Sequence, residues 1–287
     1  MNILPHNFVA FILTHGRPGN IKTYKALRDA GYTGQIRLIV DDEDPTLPLY
    51  REQYPEEVLT FSKAAIAAQF DRADNFKDWR TIFFARNAAF DLARITGFRY
   101  FIELDDDYRD FAFRRRGRVF KVKSLDRIFT ALVKFLNSSD RITCVAMSQG
   151  GDLDHIWLRL QPGQYATLRK VMNSFVCDTA KQFPFLGRLN EDVNTYVALG
   201  AIGFLFFTIY NVQLTQTLTQ TNPGGMTDTY IDSGTYIKSF YPVMYAPSCV
   251  KIGNMGFNQH RIHHVIDWNS AVPKIMRQLD VESQATT

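Results

Sequence analysis

The chain has 287 residues, 46% hydrophobic and 14% aromatic, enough to bury a sizeable core in one or two domains. Its net charge of +4 is modest, so where the charges sit matters more than their sum. Three widely spaced cysteines, Cys144, Cys177 and Cys249, argue against a disulfide framework and a zinc knuckle and read as small buried thiols.

No apolar run reaches the length of a membrane-spanning helix. The nearest, "VALGAIGFLFFTIY" (197–210), contains two glycines and reads as buried core. "MNILPHNF" lacks the basic and apolar regions of a signal peptide. A soluble cytoplasmic protein with no membrane partner is expected.

"FVAFILTHGRPGN" (8–20) opens with a continuous apolar run that fits a strand buried on both faces. Its Pro-Gly-Asn leads into a helix at about 19–30, closed by Gly31. "QIRLIVDDEDP" (35–45) is a second strand ending in acids. "AIAAQFDRAD" (65–74) and "TIFFARNAAFDLARITG" (81–97) are helical, the latter ending at Gly97. "FRYFIELDDDY" (98–108) is a further strand. This alternation predicts an α/β fold with a mostly parallel sheet flanked by helices. Functional residues in such folds gather beyond the carboxyl ends of the strands.

"FAFRRRGRVFKVK" (111–123) holds Arg114, Arg115, Arg116, Arg118, Lys121 and Lys123 and no acid. Basic residues interleaved with aromatics suit a polyanion such as nucleic acid. The alternative is a solvated basic loop. "SLDRIFTALVKFLNSS" (124–139) has helical spacing with Ser124 as N-cap. "ITCVAMSQGG" (142–151) is a strand and a glycine turn, and "NSFVCDTAKQFPF" (173–185) suggests strands. "NEDVNTYVALGAIG" (190–203) is a helix running into a buried segment. "QTLTQTNPGGMTDT" (216–229) reads as a mobile loop, "HRIHHVIDW" (260–268) as a short strand, and "VESQATT" as a frayed tail. With no repeat and no long linker, both halves are expected to share one sheet.

Asp105, Asp106 and Asp107 end the strand at 98–108. In a strand, Asp105 and Asp107 share one side and Asp106 takes the other. Two carboxylates at a strand end suit Mg²⁺ or Mn²⁺, which one or two carboxylates plus substrate phosphates typically hold. The alternative is a solvated acidic turn.

The stretch "ARNAAFDLARITGFRYFIELDDD" (85–107) resembles the core of the GT-A glycosyltransferases, in which an Ala-Arg-Asn helix precedes a strand ending in a metal-binding Asp-x-Asp. "FILTHGRP" resembles their first strand and nucleotide-facing loop, "VDDEDP" their second acidic turn, and "GRLNEDVNTYVALG" (187–200) the segment that supplies the base. The matches run in order over roughly residues 8–200. The ending "KIGNMGFNQHRIHHVIDWNSAVPKI" and the compact length resemble the TET/JBP-associated glycosyltransferases of bacteriophages, relatives of the base J glucosyltransferase.

The resemblance implies a nucleotide-sugar donor, UDP-sugar by default, with Mn²⁺ or Mg²⁺ on its diphosphate. The acceptor it implies is DNA containing a hydroxymethylated pyrimidine, cytosine or uracil, in host cytoplasm if the chain is phage-encoded. Residues 1–110 would form the donor half and 111–287 the acceptor half of one continuous domain, with the basic stretch on DNA. Asp107 and then Asp105 are the expected metal ligands. Asp105 could instead contact the ribose, and Asp106 the donor, the acceptor side or the fold. Asp192, or Glu191, would be the base that deprotonates the acceptor hydroxyl, implying inversion at the sugar carbon. The alternative for these two is a helix start capped by Asn190, with solvated acids. Of His260, His263 and His264, one would join the metal shell; neighbours in a strand face opposite ways, so only one of His263 and His264 can ligate, and His264 is preferred, the alternative being phosphate-contacting or surface histidines. Thr14, His15, Arg17 and either Asp41 or Asp42 would face the nucleotide. Arg86 would neutralise the diphosphate or form a structural pair with a carboxylate. Competing readings are a protein, lipid or glycan acceptor, and a non-catalytic DNA-binding descendant.

Overall fold

The computed structural model describes residues 4–74, 79–115, 118–149, 165–166, 173–216, 236–255 and 261–271, with Arg115, Tyr165, Ala166, Tyr236, Met255 and Arg261 described for their backbones alone. Arg116, His260, the glycine turn after Gln149, the segment 217–229 and the tail at 281–287 lie outside the described residues.

The first half runs β1 (Phe8–Leu13), α1 (Lys22–Asp29), β2 (Gln35–Asp41), α2 (Leu47–Gln53), β3 (Val58–Phe61), α3 (Lys63–Gln69), α4 (Phe83–Ile95) and β4 (Tyr100–Asp105). There follow β5 (Tyr108–Arg115), β6 (Arg118–Lys121), α5 (Leu125–Leu136), β7 (Ile142–Gln149), β8 (Tyr165–Ala166) and β9 (Phe175–Asp178). The chain continues with α6 (Glu191–Ala201), β10 (Leu205–Gln216), α7 (Tyr236–Tyr245), β11 (Val250–Met255) and β12 (Arg261–Ile266).

Ten strands form one sheet in the order β3-β2-β1-β4-β9-β7-β10-β5-β6, with β8 beside β10. Strands β3, β2, β1, β4, β7, β10 and β6 point one way, and β9, β5 and β8 the other. The architecture is therefore the expected α/β one with a mostly parallel sheet, and strands from both sides of residue 110 share it. β11 and β12 pair separately as an antiparallel ribbon.

Why β1 is apolar throughout is visible in its two neighbourhoods. Phe8, Ala10 and Ile12 enter one core with Leu27 of α1 and Phe129 of α5. Val9, Phe11 and Leu13 enter a second core with Phe84 and Phe90 of α4 and Val193 of α6. A strand covered on both faces has no side to leave polar. Burying each large side chain contributes roughly 1.5–3 kcal/mol.

Two glycines end helices as expected. Gly31 takes φ +79°, Tyr32 N bonds Leu27 O, and α1 stops. Gly97 takes φ +80°, Phe98 N bonds Ala93 O, and α4 stops. Other expectations are corrected. Ser124 does precede α5, but its hydroxyl makes no capping bond. The basic stretch is a hairpin, β5–β6, and not a loop. Residues 173–185 yield one short strand and a 3-10 turn. All three cysteines are buried and free. Among the described residues, no helix is long and apolar enough to cross a membrane.

Candidate active site at the carboxyl ends of the strands

β4 ends at Asp105, so Asp106 and Asp107 sit in a turn before β5. Strand alternation therefore reaches only Asp105. Tyr100, Ile102 and Leu104 face the first core, whereas Phe101 faces the second. Glu103 and Asp105 share the side of Phe101, the side covered by α4. There Arg86 of α4 meets both: Nη1 donates to Glu103 Oε2 at 3.2 Å and Nη2 to Asp105 Oδ1 at 3.0 Å. Its Nε donates to Glu191 Oε1 at 2.9 Å, at the start of α6. Burial alone would lower the guanidinium pKa, but Asp105, Glu191 and Glu103 outweigh it and raise it. Of the two roles expected for Arg86, the structure shows the pair with carboxylates. The side chain is fully buried, and its Nε, Nη1 and Nη2 each donate to an acid.

The neighbouring Asn87 fixes the other wall. Its Nδ2 donates to Phe185 O at 3.1 Å, and Phe185 N donates to its Oδ1 at 2.9 Å. The chain then passes Gly187, at φ +79°, and Asn190, at φ +54°, into α6. Asn194 Nδ2 donates to Leu186 O and Leu189 O, closing this loop onto the helix. Glu191 and Asp192 are buried, at 8% and 6% exposure, and Asn190 makes no side-chain capping bond. The solvated capped start is thus excluded. Burial pushes the Glu191 pKa up, although Arg86 opposes it. The charge of Asp192 reaches both Glu191 and Asp105.

Asp106 turns to the loop after β1, not away from it. Thr14 Oγ1 donates to Asp106 Oδ2 at 2.8 Å, and Arg17 Nη1 to Oδ1 at 3.1 Å. Tyr50 OH lies 2.8 Å from Thr14 Oγ1 and accepts from Arg17 N at 2.9 Å. Thr23 joins the same turn, donating its hydroxyl to Asp105 O at 2.6 Å.

Asp107 Oδ1 accepts from Gln216 Nε2 at 3.1 Å, and Gln216 in turn accepts from Gln149. These glutamines end β10 and β7, so the turn is tied to the far side of the sheet. Burial first, then the charges of Asp105 and Asp106, push the Asp107 carboxyl up to about 7. A buried acid crowded by two further carboxylates is one whose charge a divalent cation would offset.

His15 Nδ1 lies 2.6 Å from Asp41 Oδ2, and Lys63 Nζ lies 2.9 Å from Asp41 Oδ1. The bond to Asp41 raises the imidazole pKa against the opposing effect of burial. Burial would raise Asp41, yet the bonds from His15 and Lys63 prevail and lower it. Asp41 is buried, and its carboxylate also accepts from Glu43 N at 3.2 Å. Asp42 is exposed and accepts from Lys63 N at 3.0 Å.

The histidines do not behave as strand alternation predicts. The rings of His263 and His264 lie 4.2 Å apart, side by side. His264 Nδ1 lies 3.3 Å from Asn190 Nδ2, which places the pair at the start of α6. Among the described residues, no three His, Cys, Asp or Glu side chains converge into a metal cage. β12 pairs with β11 and packs against α7, which sets His263 and His264 beside the start of α6.

The basic hairpin is also placed differently from expectation. Arg114 lies six residues along β5 from Tyr108, ~20 Å at 3.3 Å per residue. β5 runs antiparallel to β10, and β10 ends at the site, so Arg114 and Arg118 are carried away from the Asp turn. Lys121 and Lys123 lie on the returning strand and just beyond it, both exposed.

Sequence reading missed Tyr50, Lys63, Gln149, Gln216 and Asn87, whose partners are distant in the chain. Glu103 carried a signal, an acid inside the otherwise apolar strand "FIEL".

Two solved structures are similar in outline. The Mycobacterium tuberculosis glucosyl-3-phosphoglycerate synthase, in complex with Mg²⁺ and UDP, is 10% identical over 90% of this chain and 87% of its own, with a TM-score of 0.46. The Pyrobaculum calidifontis mannosyltransferase, in complex with GDP-Man and Mn²⁺, is 13% identical over 84% of this chain and 69% of its own, with a TM-score of 0.45. No curated protein matches. The family model of the TET-associated glycosyltransferases matches residues 8–225, from β1 through β10, and the chain belongs to that family of glycosyltransferases.

Proposed function

We propose that the protein transfers a sugar from a nucleotide-sugar donor, UDP-sugar by default, onto the hydroxyl of a hydroxymethylated pyrimidine in DNA, using a GT-A arrangement of its sheet. The observation that carries the reading is the meeting of the Asp105–Asp107 turn with the acid-bearing start of α6 through Arg86.

The residues present fit a divalent cation: Asp107, crowded by two other acids, and Asp105 would hold Mn²⁺ or Mg²⁺ together with donor phosphates. Bound there, the metal offsets the charge that builds on the leaving diphosphate. Thr14, His15 and Arg17 form the donor-facing rim, and Asp106 fixes that rim by holding Thr14 and Arg17. Asp42, exposed beside it, is the acid open to the nucleoside. Asp192 takes the proton from the acceptor hydroxyl. Glu191 is tied by Arg86, so it sets the position of α6 and does not act as the base. Direct displacement with inversion follows from a single base of this kind. The cationic residues of β5–β6 supply phosphate contacts for the acceptor.

The test is a mass-spectrometric digest. The protein is incubated with Mn²⁺, a panel of sugar nucleotides, and plain or hydroxymethylated DNA, and the nucleosides are weighed. A hexose-sized gain on hydroxymethylated pyrimidine alone is expected. Sugar-nucleotide turnover with no gain on any DNA would move the acceptor to a protein, lipid or glycan.

A further inference from the structure

We propose that the β5–β6 hairpin is a base-stacking platform, holding the acceptor nucleic acid by its unpaired bases and not as an intact duplex. The inference rests on the DNA-acceptor reading above and specifies the form of DNA.

Its basis is an aromatic pair in an unusual place. Along β5, Phe111 and Ala112 are buried at 1% and 4% exposure, but Phe113 is 41% exposed. Phe113 is the direct cross-strand partner of Phe120, itself 51% exposed. Opposed residues project from the same face of a ribbon, so the two rings stand together. Arg118, two residues before Phe120, shares that face. Val119 on the other face is 53% exposed, and every residue of β6 is exposed. The ribbon therefore projects beyond the helices that cover the rest of the sheet.

Three occupants could cover an exposed aromatic ribbon: a second copy paired along the strand edge, an apolar protein surface, or nucleic acid. Among the described residues, β6 is the last strand of the sheet and has an open edge. However, Arg118 and Lys121 line it, and like charges meeting across an edge oppose self-pairing. Arg118 on the face of the two rings, with Arg114 and Lys121 on the other face of the same ribbon and Lys121 Nζ 3.5 Å from Asp110 Oδ1, disfavours an apolar partner and favours a polyanion. A duplex offers a protein phosphates and base edges, with the base faces hidden in the stack. Phenylalanine has no hydrogen-bonding group with which to read an edge. Its affinity is for the faces, which only a single-stranded or opened segment exposes. A cation beside stacking rings, here Arg118, with further positive charge on the same ribbon, is the combination that single-strand binding uses.

The placement agrees with the chemistry required. A hydroxyl that must reach a buried acid such as Asp192 cannot do so from inside a base stack. Phe113 stands ~17 Å along the strand from Tyr108, at 3.3 Å per residue. That places the platform a few nucleotides from the acceptor base, within one continuous bound strand.

The experiment compares single-stranded and duplex oligonucleotides of equal length, by fluorescence anisotropy across a salt series. The proteins are the full chain, the double variant Phe113→Thr with Phe120→Thr, and Phe120→Tyr. Threonine keeps strand propensity, and circular dichroism and melting check folding. Wild type is expected to prefer the single strand. The double variant should lose at least roughly tenfold in single-strand affinity, in line with stacking losses of about 5- to 140-fold per base. Its log–log salt slope should not change, because no charge is removed. Phe120→Tyr, which keeps a stacking ring, should stay close to wild type. A double variant that binds single strands as tightly as wild type overturns the platform. So does a wild type that prefers duplex, or one that dimerises through the hairpin and loses the dimer in the double variant. If wild type binds neither form, the DNA-acceptor reading itself fails.

Discussion

Asp107 is a costly residue for the fold. Its carboxyl is pushed up to about 7 by burial and by Asp105 and Asp106. A folded-state pKa above the ordinary value of 3.8 means stability that is present at low pH and lost as pH rises through about 7. Above that pH the Asp107 carboxylate is charged beside Asp105 and Asp106. Asp107→Asn removes that charge without changing shape. At pH 8 with chelator, the variant should melt a few degrees higher than wild type. Mn²⁺ should raise the wild-type melting temperature and leave the variant nearly unmoved, and transfer should be lost. A variant that melts lower, responds to Mn²⁺ and retains activity within about tenfold would remove Asp107 from the metal. In the proposed role the residue would trade stability for chemistry, as acids at active sites commonly do. The triple Asp was legible as a candidate site, since adjacent acids after an apolar strand are evident. The partners of each acid were not. Asp106 to Thr14 and Asp107 to Gln216 join residues 92 and 109 positions apart, which no local spacing encodes.

At the scale of elements, the loop before α6 decides where Asp192 stands. Gly187 has φ +79°, and a Cβ there would meet Asn194 Nδ2 and Tyr245 Cε2, each at 2.7 Å. Left-handed backbone costs a side chain about 1–2 kcal/mol, and the two contacts add to it. Asn194 is the side chain that closes the loop onto Leu186 and Leu189. Gly187→Ala should therefore lower stability in urea melts by about 2 kcal/mol or more. Turnover should fall further than donor affinity, because in the proposed mechanism the displaced group serves the acceptor side. A variant with unchanged turnover would show that the loop does not set the base. The sequence "GRLNED" announced a glycine before two acids. It did not announce that Asn87 of α4 grips Phe185 from both its amide oxygen and its nitrogen, because the grip spans 98 positions.

Across the whole molecule, charge is distributed unevenly. The acids gather at the carboxyl ends of β2, β4 and the start of α6, whereas Arg114, Arg118 and Lys121 ride the β5–β6 edge. A donor with a diphosphate and a polyanionic acceptor can then occupy different regions without mutual repulsion. Reversing three of the edge charges, Arg114→Glu, Arg118→Glu and Lys121→Glu together, should weaken DNA binding and flatten the log–log salt slope by about 2 on single strands. Equal slopes in variant and wild type would place the DNA elsewhere. The aromatic variants of the hairpin should lose affinity without this change of slope, so the two kinds of contact separate experimentally.

The sequence alone determined the period of each element. Continuous apolar runs gave β1 and β4 as strands buried on both faces, and glycines at 31 and 97 marked the ends of α1 and α4, because periodicity and left-handed backbone are local properties of a chain. It also placed the acids at a strand end and the basic residues together, and the order of its motifs pointed to the family. Only the tertiary structure decided which acids share a partner. Arg86 joins Glu103, Asp105 and Glu191, whose positions in the chain differ by up to 105 from its own, because α4 covers the face of β4 on which α6 begins. Only the tertiary structure turned Asp106 toward Thr14, brought the rings of His263 and His264 side by side, and carried Arg114 away from the Asp turn. Each of these depends on where one element stops and on what packs against it. A run of residues, taken one after another, does not contain that information.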